Sequence, residues 1–223
     1  MCWNAPVSFA SFVIILFVSF LLFQRNHPND VLCGCFILSY GFMQLLEGIL
    51  WLSQNRRSRS AIFRNHVTSI MACLLLYLHV LAIGVGIYYD RQYKKTLSTN
   101  TKRGLIGIGI LVLLLGIYRI VTEQSKYPFM CYPIPSNGRH LVWGFPNDYM
   151  TVILPVATLL AILYIRPWKT LLLLFVYYYG TLLVSFAVSG QQSIGSYWCW
   201  LVATFSFIVY FFNYRRLSEP SFC

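Results

Sequence analysis

From Val31 to Leu52 the chain reads VLCGCFILSYGFMQLLEGILWL, an apolar run that holds one charged side chain, Glu47. As a helix rising ~1.5 Å per residue, the run extends roughly 33 Å, enough to cross a ~30 Å hydrocarbon core. A carboxylate placed there costs ~2.5–3.5 kcal/mol on insertion scales, so it is expected to face a bundle interior or a wet cavity. Tyr40, Gln44, Glu47 and Trp51 recur at alternating spacings of four and three residues, which puts them on one side of the helix. Neighbouring helices are expected to cover that side.

The rest of the chain repeats the theme of apolar runs between short polar turns. Runs at 7–23, 31–52, 67–89, 104–121, 149–165, 170–189 and 196–213 predict an all-α integral membrane protein of seven spans, a single domain over 1–223. Only 10% of the residues are charged, against ~25% in ordinary soluble domains. The first run is preceded by no positive charge and followed by Arg25, the reverse of a cleaved signal peptide, so it reads as a retained anchor. Pro155 predicts a kink in the fifth run.

The longest hydrophilic segment, 122–148, holds Pro128, Pro133, Pro135 and Pro146 together with five aromatics. The prolines argue against helix and sheet interior, and the aromatics against disorder. The segment reads as a folded cap over one mouth of the bundle, on the outer side.

A net charge of +11 raises the question of nucleic acid. The basic residues instead sit in turns between apolar runs, where they act as orientation signals and as contacts for anionic lipid head groups. No zinc finger, basic tail or aromatic-basic groove accompanies them, so nucleic-acid binding is discounted. Ten Lys and Arg fall on the side opposite the amino terminus and six on its own side, which predicts an outside amino terminus and a cytoplasmic carboxyl terminus. Arg56, Arg57, Arg59 and Arg64 run against that rule and read as a tolerated basic loop.

Of the seven cysteines, Cys2 and Cys131 lie in polar segments on the predicted outer side, which makes a disulfide between them the leading pairing. Cys33 and Cys35 point to different helix faces and read as small core residues rather than metal ligands. Near the outer mouth cluster Glu47, Arg119, Asp148 and His140. Glu47 either pairs with Arg119 to hold the bundle together, or contacts a ligand or proton in a cavity beneath the cap. His79, near the middle of the third run, reads first as an interhelical hydrogen-bonding group. Gly104, Gly107, Gly109 and Gly116 read as close helix packing rather than a nucleotide loop, since no strand precedes them. No cofactor or metal site is legible.

Several seven-span families are excluded by missing residues. The last run has no Schiff-base lysine, the four histidines are too scattered for a zinc hydrolase site, and no Asp-Arg-Tyr or Asn-Pro-x-x-Tyr receptor signature occurs at its place. One likeness does reach residues. The opening MCWNAPVSF, MQLLEGILW at Met43–Trp51, Asn65 with LLLYLHV leading to His79, and WCW at Trp198–Trp200 resemble an uncharacterised seven-span family of large DNA viruses and of algae or other microbes. The resemblance implies a seven-span fold with an outside amino terminus, and it marks Cys2, Glu47 and His79. It implies no activity.

The expected protein is therefore receptor- or transporter-like. Its small polar cavity takes a small molecule or ion and draws on Tyr40, Gln44, Glu47, Trp51, His79, Arg119 and Asp148. Two alternatives stand beside it: a lipid-modifying membrane enzyme with Glu47 and His79 as acid and base, and a structural component of a viral or organellar envelope.

Overall fold

The computed structural model describes residues 4–126, 128–133, 141–144 and 153–164, short helical stretches at 175–180 and 206–211, and single helical positions at 168, 172, 183, 184 and 187. Four helices among them are long and apolar enough to cross a bilayer, as a multi-pass membrane protein requires: α1 (Ala5–Arg25), α2 (Asp30–Leu52), α3 (Arg59–Tyr89) and, after the short α4 (Arg91–Thr96), α5 (Thr99–Gln124). The antiparallel strands β1 (Met130–Pro133) and β2 (Leu141–Gly144) follow, then α6 (Leu154–Tyr164). The expected fifth span is described in part, as α6. Most of the sixth and seventh lies outside the described residues.

Four of the helices, α1, α3, α4 and α5, start where a short polar side chain captures an otherwise orphaned backbone N–H; α2, entered through Asn29, has no such side-chain bond. Asn4 accepts from Val7, Ser58 from Ala61, Asp90 from Gln92 and Ser98 from Thr101. Two of these caps start their helices outside the apolar runs. Ser58 starts α3 eight residues before the apolar run at 67, and Ser98 starts α5 five residues before the run at 104. Apolarity marks the part of a helix fit for lipid, whereas the cap marks where the helix begins.

The helices pack in chain order, α1 on α2, α2 on α3 and α3 on α5. α2 lies between two neighbours and is 61% buried, against 33% for α1 and 28% for α5. Glycines set the closeness of α1 and α2. A Cβ added at Gly34, Gly41 or Gly48 would come within 2.5–2.7 Å of Phe23, Ile15 or Phe9 of α1. In α5 a Cβ at Gly109 or Gly116 would collide with Leu81 or Tyr77, but Gly104 and Gly107 have nothing within 4 Å. Close packing at glycine thus holds for half of the α5 set.

One end of the four-helix array is tied by buried acids. Arg25 donates twice to Asp30, both bonds 2.7 Å, donates to the Tyr210 carbonyl at 3.1 Å, and stacks 4.4 Å over the Tyr210 ring. The Asp90 carboxylate accepts from the backbone N–H groups of Asn29, Leu32 and Gln92 at 2.8–3.1 Å. Asn29 takes the left-handed backbone conformation at φ 70°, and its side chain accepts from the Tyr93 hydroxyl.

The strand pair adds a ribbon to the segment 122–148, whose prolines were expected to keep it out of helix and of sheet interior. In a two-stranded ribbon each strand is an edge, and Pro133 takes the end position opposite Leu141, as that expectation allows.

Candidate functional site

The predicted stripe of α2 is buried. Gln44 and Glu47 have no exposed surface, Tyr40 is 1% exposed, and Trp51 is partly buried at the helix end. α3 runs antiparallel beside it, so residues of the two helices meet at matching levels. Tyr40 stacks on His79 with ring centroids 4.2 Å apart and planes inclined by 28°. One turn beyond, Met43 and Leu46 pack with Ala72 and Leu75. At the far level stand Leu50, Gln54, Asn65 and Ser69 beneath the ribbon.

The ribbon is fixed to α3 chiefly through Asn65. The Asn65 side chain donates from Nδ2 to the Cys131 carbonyl at 2.8 Å, and its Oδ1 accepts from the Cys131 N–H at 2.9 Å. The Asn65 amide thus fills the place a third strand would take beside β1. The Ser69 hydroxyl lies 3.3 Å from both Asn65 Oδ1 and Cys131 Sγ and is placed to donate to either. His66 Nδ1 meets the Phe129 carbonyl at 2.9 Å, and Gln54 donates to the carbonyls of Leu50 and Cys131. Trp143, the partner of Cys131 in β2, packs on both the Met43–Leu46–Ala72–Leu75 and Leu50–Cys131–Leu141 groups. Those groups flank Glu47 along α2, so the ribbon lies over the stripe. Burial pushes the Cys131 thiol up to about 11, and the nearby Glu47 carboxyl adds to this against hydrogen bonds from Ser69 and the Gly144 backbone.

The other expected site residues are placed as follows. Cys131 is a free thiol, fully buried against Ser69, and Cys2, its expected disulfide partner, lies outside the described residues. Asp148 and His140 lie outside them as well. Arg119 pairs with Glu123 one turn along α5 at 3.4 Å, and its side chain is 40% exposed. His79 sits at the level of Tyr40, which is seven residues, or roughly 10 Å of helix axis, from Glu47. Arg56, read from the sequence as part of a tolerated basic loop, lies 3.9 Å over the ring of Tyr132 in the ribbon.

The sequence reading singled out neither Ser69 nor the ribbon contacts of Asn65. Two small polar residues at i and i+4 on α3 are the only local signal they leave; their partner is 66 residues from Asn65 in sequence.

The buried set comprises a carboxyl, a primary amide, an imidazole and a phenol along one helix–helix seam, with amide and hydroxyl groups at its ribbon end. It offers acceptors to a cation and both donors and acceptors to a neutral polar solute. Among the described residues no three His, Cys, Asp or Glu side chains converge as a metal centre would need. No family model, curated protein or solved structure matches the chain.

Proposed function

We propose that the chain is a seven-span membrane protein of the receptor or transporter kind, which binds a small polar molecule or ion along the Tyr40–Gln44–Glu47 stripe. The ribbon forms part of an extracytoplasmic cap over that stripe, and the amino terminus lies outside. The last three spans are those read from the runs at 149–165, 170–189 and 196–213. The excess of basic residues on the opposite side supports this orientation.

What carries the reading is the complete burial of Glu47 and Gln44 on the most enclosed of the four long helices, below a ribbon anchored by Asn65. A carboxyl group held at membrane depth is expensive, and such groups commonly mark ligand or ion pathways. The competing account makes the stripe only a fastening between α2 and α3.

The two part in an assay of the reconstituted full chain. Glu47→Gln and Glu47→Ala are compared with the native protein for proton flux and for uptake of small cations and amines. A loss of about ten-fold or more in any of these, with the fold retained, supports the reading. Unchanged flux and uptake in both folded variants would leave only the fastening role.

A further inference from the structure

We propose that α4 and the start of α5 form a docking shelf for anionic phospholipid head groups. The surface lies at the end of the array away from the ribbon and does not depend on Glu47.

Charge is the first observation. Arg91, Lys94, Lys95 and Arg103 are exposed there. The acids described at this end, Asp30 and Asp90, have no exposed surface: Asp30 is engaged by Arg25, and Asp90 by backbone N–H groups. The exposed charge among the described residues of the shelf is thus all positive.

Rigidity is the second. Tyr93, 1% exposed, donates its hydroxyl to Asn29 Oδ1, and Asp90 caps α4 through the Gln92 N–H. Leu97 packs against the core. Lys102 is buried, with its ammonium 5.9 Å from the centre of the Tyr88 ring. The basic side chains therefore project from a fixed platform rather than from a loose turn.

The third observation selects the partner. The shelf adjoins bare apolar surface: Tyr89 is 59% exposed at the end of α3, and Ile108 and Leu111 of α5 are 38% and 67% exposed. A ligand matching both surfaces carries an anionic head and hydrocarbon tails together. A soluble anion would meet only the first. Basic residues beside a bilayer attract acidic lipids at roughly five-fold per residue, the equivalent of ~1 kcal/mol each.

The test is competitive lipid retention by the detergent-solubilised full chain, measured by native mass spectrometry. Phosphatidylglycerol and phosphatidylcholine of the same acyl composition are supplied in equal amounts. The native chain is expected to retain phosphatidylglycerol about ten-fold over phosphatidylcholine. The variant Arg91→Gln/Lys94→Gln/Lys95→Gln should bring the ratio close to one, and Lys94→Arg/Lys95→Arg should keep it. Arg57→Gln/Arg59→Gln/Arg64→Gln, at the ribbon end, should leave it unchanged. Should the triple variant misfold, Lys94→Gln and Lys95→Gln singly must each lower the ratio a few-fold. No preference in the native chain, an unmoved ratio in the shelf variants, or an equal loss in the ribbon-end variant would overturn the proposal.

Discussion

Asn65 and Cys131 are joined by two hydrogen bonds in which a side-chain amide serves both backbone polar groups of one residue, at 2.8 and 2.9 Å. Both residues are fully buried, so neither backbone group of Cys131 has water as a substitute. Asn65→Ala strips both bonds; the Cys131 N–H is left buried without its partner, at a cost of about 1–3 kcal/mol, while the carbonyl keeps only the longer bond from Gln54. The expected loss is roughly 2–4 kcal/mol, read as a lowered melting temperature in detergent and faster hydrogen exchange at the Cys131 amide. Asn65→Asp keeps the acceptor and loses the donor, and should fall between. Unaltered exchange in Asn65→Ala would mean that other contacts hold the ribbon.

The opposite end depends on Arg25. Its guanidinium makes two bonds of 2.7 Å to an Asp30 side chain that has no exposed surface. Removing one partner of a buried pair strands the other, at a cost of about 3–5 kcal/mol. Arg25→Gln should therefore destabilise far more than Lys126→Gln, whose exposed ammonium pairs with Glu123 on the surface. Chemical-denaturation curves of the two variants give the comparison.

Glycine positions divide into two classes with opposite expected signs. At Gly41 an added Cβ would stand 2.7 Å from Ile15 Cγ2, so Gly41→Val should force α1 and α2 apart and cost about 1–3 kcal/mol. At Gly107 nothing lies within 4 Å, and Gly107→Ala gains up to about 1 kcal/mol from helix propensity. Thermal melts of the single variants decide both.

The Cys131 thiol gives a pH signature. Its ordinary value is 9.0, and burial with the Glu47 carboxyl nearby brings it to about 11 in the folded chain. Between those values the unfolded chain binds fewer protons at this site than the folded one, so stability falls as pH rises through the window. The whole fall is about 3 kcal/mol, and none of it appears below the unfolded value. Cys131→Ala should lose less stability than the native chain between pH 8 and 10.5, a difference that melting curves at the two values measure. Equal slopes would contradict the buried thiol.

How much of this was legible in the sequence depends on the range over which each interaction acts. The four long helices and the one-sided stripe on α2 follow from local periodicity, so the runs near 7–23, 31–52, 67–89 and 104–121 locate them. Helix ends do not follow from apolarity, because Ser58 and Ser98 begin α3 and α5 well outside the lipid-compatible stretch. The ribbon escapes a reading that counts prolines, since Pro133 occupies a strand end. The closing contacts of the site are tertiary: Asn65 meets Cys131 across 66 residues, and Asp90 meets Asn29 across 61. Their residue types announce polarity, but nothing local announces the partner.

The central claim is that the Glu47 carboxyl is enclosed by protein and shielded from acyl chains. The most direct measurement is labelling of the bilayer-reconstituted chain with a lipid-soluble carbodiimide, with the peptide carrying Glu47 followed by mass spectrometry. The account predicts that Glu47 stays unmodified in the folded protein and becomes modified once the chain is unfolded. Labelling of the folded chain as fast as the unfolded one would place the carboxyl in lipid and contradict it.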